Sequence, residues 1–153
     1  MGKKGKIVAI IQARMGSSRL PGKVLKEVNG VPLLKYQFER VKQSLFVVET
    51  VIATTVRGEN DVIAEFCEQN QISCFRGSED NVMDRVLGAA QSVNATVVIE
   101  THGDNPLLDP KIIELAIQSF LVNDVDYLGN SKIHSYPLGM DVQVFKYEAL
   151  LRS

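Results

Sequence analysis

Ile7 to Ile11 is an unbroken apolar run rich in β-branched residues, the mark of a strand buried on both faces in a parallel sheet. Polar residues interrupt it from Gln12 to Lys23. After a turn over Glu27-Val28-Asn29-Gly30, Pro32 suits the first turn of a helix. Leu33, Leu34, Phe38 and Val41 then recur at helical spacing up to about Ser44. Glu49 to Thr54 predicts a second strand. Asn60 is positioned as N-cap of a helix carrying Val62, Ile63, Phe66 and Cys67, with Asn70 at its end. Ile72 to Phe75 predicts a third strand, Arg76 to Asn81 a polar loop, and Val82 to Ser92 a helix. Ala95 to Thr101 predicts a fourth strand. Pro110 opens another helix with Ile112, Ile113, Ala116 and Phe120 on it. Asp126–Leu128 and Met140–Phe145 predict two more strands, and Tyr147 to Arg152 a last helix.

Strands and helices thus alternate. That pattern predicts the α/β class: a Rossmann-like, mostly parallel sheet with helices on both faces. No repeat, low-complexity run or linker breaks it, so residues 1–153 are expected to form one domain. The loops at 12–23, 54–59, 76–81 and 102–106 all follow strands. They are expected along one edge of the sheet, where such folds take their ligands.

Composition adds little to this picture except exclusions. A hydrophobic fraction of 45% and a charged fraction of 23% are those of an ordinary soluble globule. A net charge of −1 gives no global field to recruit nucleic acid or an anionic membrane, so any anion site is local. Cys67 and Cys74 lack a metal-like spacing and are expected as free, buried thiols in a reducing compartment. The basic start of the chain precedes only five apolar residues, too few for a signal-peptide core. No run is long enough to span a membrane, so a cytoplasmic location is expected.

Charge matters most between Gln12 and Lys23. Arg14, Arg19 and Lys23 stand there among Gly16, Ser17, Ser18, Pro21 and Gly22. Glycine lets the backbone approach a phosphate, serine hydroxyls and loop N–H groups donate to its oxygens, and the cations neutralise its charge. The loop therefore reads as the grip of a phosphate-rich nucleotide, or else as a solvated basic surface. It is not a Walker P-loop: five residues separate Gly16 from Gly22, and Val24 occupies the place of the Mg²⁺-binding Ser/Thr. No G-x-G-x-x-G fingerprint is present either. Asp104, at the end of the fourth strand, faces this loop in the expected fold and is a candidate Mg²⁺ ligand; its alternative is a cap on the turn before Pro106. Asp141, an isolated acid in the expected strand 140–145, is a second candidate, or else an outward-facing strand residue. His102 and His134 read as hydrogen-bonded structure, not as a base. Nothing matches a Ser-His-Asp triad, a zinc ligand set or an aromatic platform for nucleic acid.

The run Ala13-Arg14-Met15-Gly16-Ser17-Ser18-Arg19-Leu20-Pro21-Gly22-Lys23 resembles the opening motif of the cytidylyltransferases that activate sugar acids, in particular the branch called spore coat polysaccharide biosynthesis protein F. The stretches Phe75–Val82 with Asp84-Arg85, Gly103–Pro110, and Tyr136–Val142 resemble later motifs of that branch in the same order. The resemblance implies a nucleotide-diphospho-sugar transferase fold. It also implies transfer of CMP from CTP to a sugar acid with release of pyrophosphate, Mg²⁺ as cofactor, a role in surface polysaccharide synthesis, and a homodimer. It places Ala13, Arg14, Thr54, Gly77, Ser78 and Asn81 with Gly16 and Ser17 around the nucleotide. Arg19 and Lys23 would hold the triphosphate and act in catalysis with Asp104, the metal being held by Asp104 and Asp141. Two departures stand out. Glu100 occupies a position where the branch carries Arg. The chain is also expected to lack the family's C-terminal third. A nucleotide-binding module without catalysis, or a transferase using another nucleoside triphosphate, are the alternatives.

Overall fold

The computed structural model describes residues 5–133 and 135–153, so the readings at His134 and at Met1–Lys4 lie outside it. The central strand β1 (Ile7–Gln12) is buried along its whole length. Alternate residues feed two separate cores, as the two-residue period of a strand requires. Ala9 and Ile11, with Ile52 and Ile99, pack under helices α1 (Leu33–Val41), α2 (Asp61–Gln69) and α4 (Pro110–Asn123). Val8 and Ile10, with Val51, Ala53 and Val98, pack under α3 (Val82–Ser92) and α5 (Tyr147–Leu151). The unbroken apolar run is thus explained: both faces of the strand are covered.

The short strands β2 (Glu27–Val28) and β3 (Val31–Pro32) form a hairpin of their own. Asn29 at φ 53° and Gly30 at φ 75° make its turn, a pair suited to the left-handed conformations of a tight hairpin. The main sheet has six strands in the order β5-β4-β1-β6-β8-β7, with β4 (Glu49–Thr55), β5 (Ser73–Gly77), β6 (Val97–His102), β7 (Tyr127–Gly129) and β8 (Gln143–Lys146). Strands β5, β4, β1 and β6 run parallel, and β8 is antiparallel to both its neighbours.

The expected α/β architecture holds, with three local corrections. Strand β5 extends through Arg76 and Gly77, which the sequence assigned to the following loop. Strand β8 begins at Gln143, so Asp141 lies before it and not within it. Asn130 causes this offset: its Oδ1 accepts from the Val142 N–H at 2.8 Å and its Nδ2 donates to the Met140 carbonyl at 2.8 Å, holding 140–142 against another loop. Cys67 is buried as expected, but Cys74 is exposed, because it sits on the edge strand β5.

Helix α4 starts cleanly. Pro110 occupies its first turn and the Asp109 carboxylate accepts from the Lys111 N–H at 2.9 Å. Asp109→Ala removes this cap and is expected to cost about 1 kcal/mol. A lowered denaturation midpoint with an unchanged slope would show it; an unchanged midpoint would mean the cap contributes nothing.

Candidate functional site

The carboxyl ends of β1, β4 and β6 lie level. Gln12 stands opposite Ala53 on one side and His102 on the other. Beyond this line the chain from Ala13 to Lys23 crosses the sheet edge. It is tied down at several points. The Ala13 N–H donates to the Ala53 carbonyl at 3.0 Å, and the Gly22 N–H donates to the Met15 carbonyl at 2.9 Å, with Gly22 at φ 67°. The Met15 N–H donates to Asn60 Oδ1 at 2.8 Å. The end of β6 comes equally close: the Gly103 N–H donates to the Gln12 carbonyl at 2.7 Å. A Cβ at Gly103 would lie 3.1 Å from that same oxygen, tighter than side chains normally pack, so this approach calls for glycine.

A cavity of about 380 Å³ opens between these segments. Ala13, Arg14, Gly16, Ser17, Ser18, Arg19 and Lys23 line one side of it, and His102, Gly103 and Asp104 the other. Gln12, Val24, Val82 and Arg85 complete the lining. The basic loop and Asp104, far apart in sequence, do meet: Lys23 Nζ lies 2.5 Å from Asp104 Oδ2, 81 residues on. Burial alone would push the Asp104 carboxyl up. The hydrogen bond and charge of Lys23 outweigh it and hold the carboxyl below its ordinary value. A carboxyl depressed in the folded state adds stability above the ordinary carboxylate range and loses it as pH falls through the folded value. With Lys23→Ala the burial remains and its counterweight goes, so the Asp104 pKa is expected to move up. Carboxyl NMR titration reads this directly, and an unmoved Asp104 resonance would contradict the pairing.

The other expected residues are placed differently. Thr54 is fully buried within β4, its hydroxyl without a partner. Gly77 closes β5. Ser78 Oγ accepts from the Asn81 N–H at 3.0 Å, and Asn81 Oδ1 accepts from the Asp84 N–H at 3.0 Å, so both side chains shape the start of α3. Thr54, Gly77, Ser78, Asn81 and Asp141 all stand outside the cavity lining. The 76–81 loop reaches the basic loop through Glu79 instead, whose carboxylate lies 3.7 Å from Arg14 and 4.0 Å from Arg57.

Three residues escaped the sequence reading. Asn60 has the N-cap position of α2, yet its side chain caps nothing there. It is fully buried and bridges Met15 to Thr55, whose Oγ1 accepts from Asn60 Nδ2 at 2.7 Å. Arg85 is buried, donates from Nη2 to Gln12 Oε1 at 2.6 Å, and donates from Nη1 to the Ser78 carbonyl at 2.5 Å. Burial pushes its guanidinium down from the ordinary value, and the charge of Glu79 opposes that push. Gln12 in turn donates from Nε2 to Glu100. The available signal was periodicity: in β1 the even positions face α3, so a polar Gln12 there required a partner on that helix.

The family model described as Cytidylyltransferase matches residues 8–152. The chain belongs to the cytidylyltransferase family. Among solved structures, a cytidylyltransferase from Leptospira borgpetersenii superposes on this cytidylyltransferase chain with a TM-score of 0.91 at 35% identity, covering 97% of this chain and 63% of that one. The spore coat polysaccharide biosynthesis protein SpsF of Bacillus subtilis is 38% identical over 149 residues, which are 95% of this chain and 61% of the relative. The 3-deoxy-manno-octulosonate cytidylyltransferase of Trichlorobacter lovleyi is 33% identical over 126 residues, 82% of this chain and 49% of the relative. The chain therefore spans about half to three fifths of the length of these curated relatives. No helix among the described residues is long and apolar enough to cross a membrane.

Proposed function

We propose that this cytidylyltransferase chain carries the site that transfers CMP from CTP to a hydroxyl of a sugar acid, with release of pyrophosphate, in the making of surface polysaccharide. The observation that carries the reading is the meeting of Arg14, Arg19 and Lys23 with Asp104 across one cavity at the carboxyl edge of the sheet. The names of the relatives supply the nucleotide and the sugar class.

The chemistry needs few groups. The sugar oxygen forms a bond to the α-phosphorus. The bond from that phosphorus to the β-phosphate oxygen breaks, and pyrophosphate leaves with the electron pair; the hydroxyl proton passes to solvent. Charge accumulates on the departing oxygens, so cations fixed beside them lower the barrier. Arg19 and Lys23, both in the cavity lining, would take that role. Arg14, half-paired with Glu79, can turn to the phosphates without unfolding anything. Gly16, Ser17 and Ser18 offer close backbone approach and hydroxyl donors.

Mg²⁺ fits the residues present in one arrangement. Asp104 is the sole carboxylate among the described residues lining the cavity, and no group of three metal-ligating side chains occurs among the described residues. Magnesium commonly takes one or two carboxylates with phosphate oxygens and water. Asp104 would hold the ion, which when bound neutralises triphosphate charge. Lys23 must then release Asp104, and a triphosphate gives its ammonium a new partner.

Thermal stability with CTP, GTP, UTP and ATP, each with and without Mg²⁺, tests this reading. A ligand that binds only the native state at 100 times its Kd adds about 2.7 kcal/mol. CTP-selective stabilisation enhanced by Mg²⁺ is expected. No shift with any nucleotide, or a shift selective for another base, would overturn it.

A further inference from the structure

Cys67 and Cys74 are the chain's two cysteines, and the cavity at the sheet edge uses neither. They stand on the two arms of the turn that joins α2 to β5. Backbone bonds close that turn: the Asn70 N–H donates to the Phe66 carbonyl at 3.1 Å and the Ile72 N–H to the Cys67 carbonyl at 2.8 Å, with Gln71 at φ 56°. Cys67 is fully buried in the core that holds Ile52 and Ile72. Cys74 stands opposite Ile52 in the sheet register. Arg76, two residues on and so on the same face of the strand, reaches Asp61 of α2 at 2.6 Å. Cys74 therefore faces α2. There the Cys67 thiol donates a hydrogen bond to its sulfur. No segment has to move to bring the two together. Because β5 is an edge strand, Cys74 is exposed while Cys67 is sealed beneath it.

The two thiols are chemically unequal. The hydrogen bond from Cys67 lowers the Cys74 thiol from its ordinary value; burial opposes this, and the charge of Arg76 adds to the lowering. The same contact, together with burial, pushes the Cys67 thiol up. An accessible thiolate is the nucleophile of disulfide exchange, whereas a buried thiol is inert to outside reagents. We propose that Cys74 and Cys67 form an oxidisable dithiol, Cys74 attacking and Cys67 resolving, which closes to a disulfide that staples α2 to β5. Glutathione disulfide serves as the oxidant. The Cys74 thiolate attacks one of its sulfurs, the S–S bond breaks, and one glutathione leaves with the electron pair. The negative charge that held the Cys67 proton is then gone. Cys67 gives that proton to solvent, its sulfur bonds to Cys74, and the second glutathione leaves. Two cysteines are oxidised and one glutathione disulfide is reduced to two thiols. Disulfides in reducing compartments are usually transient or redox-sensing, and this one would be reversed by the same exchange.

The folded chain is treated with glutathione disulfide and followed by intact mass. The wild type is expected to pass through a single glutathione adduct to a monomer that has lost two hydrogens. Cleavage after Glu68 should give fragments that stay joined until reduced. Cys67→Ser should stop at the adduct, and Cys74→Ser should remain unmodified while folded. The closed form should unfold at higher urea than the reduced form, since a cross-link restricts the unfolded chain. Alkylation of Cys74 in the wild type should show a pH midpoint below the value of about 8.5 for a free thiol. Cys67→Ala removes the hydrogen-bond donor and should move that midpoint up. A wild-type adduct that never closes would overturn the proposal, as would thiols that both stay free. A disulfide linking two chains, or Cys67 reacting before Cys74, would do the same. A closed form less stable than the reduced one would overturn the staple.

Discussion

Asp104→Ala is expected to slow CTP-dependent pyrophosphate release roughly 100-fold or more, the scale of removing one preorganised electrostatic group from a transition state. The fold should survive. The Asp104 side chain is 40% exposed, so its loss opens no core cavity. Its removal also frees Lys23 for the triphosphate. Binding of CTP without Mg²⁺ should therefore hold or tighten, its enhancement by Mg²⁺ should disappear, and kcat should fall, a split that separates a catalytic carboxylate from a structural one. Asp104→Asn keeps the size and discards the charge, and should behave like the alanine variant. Steady-state kinetics with Mg²⁺ varied over a wide range would check both. Turnover near the wild-type rate in either variant would remove Asp104 from the chemistry.

The position of this site was legible because it follows from topology. An apolar strand ending in a cationic loop, and a later apolar strand ending in Gly-Asp, become neighbours once the sheet is parallel and both strands are central. Register sets the edge, with Gln12 opposite His102, and the loop that follows Gln12 brings Lys23 back to touch Asp104, two residues beyond His102. What stayed hidden depended on side-chain partners far apart in sequence. Asn60 scores as an N-cap from its neighbours alone, but the buried Met15 N–H and Thr55 hydroxyl claim its amide. Ser78 and Asn81 look like ligand donors in a polar loop, yet the first turn of α3 and the loop itself consume their hydrogen bonds. Cys74 reads as buried from composition, whereas only sheet order tells that β5 is an edge. Glu100, a departure from the branch's pattern, makes sense only beside Gln12 and Arg85.

Asn60→Ala should be strongly damaging although the residue lies outside the cavity lining. The residue is fully buried, so the Met15 N–H would lose its partner where water reaches poorly, and the Thr55 hydroxyl would keep only the long contact from the Arg57 N–H. A buried donor left unpaired costs about 1–3 kcal/mol, and the vacated volume adds to it; a total loss of about 2–4 kcal/mol is expected. The functional effect should exceed what stability explains. Met15 sits in the basic loop, between Arg14 and Gly16, and its N–H is a fixed point from which both are positioned. A displacement of about 1 Å in such a loop can cost about 100-fold in rate. Asn60→Asp is the informative companion. Its carboxylate still accepts from Met15, and the Thr55 hydroxyl can reverse to donate to it, so the loop keeps its anchor. Urea denaturation and CTP titration of both variants, at a temperature where each is folded, decide the matter. If Asn60→Ala binds CTP and turns over like the wild type once folded, the residue serves only stability. If Asn60→Asp recovers CTP affinity while remaining less stable, the Met15 anchor, and not the core around it, sets the geometry of the basic loop.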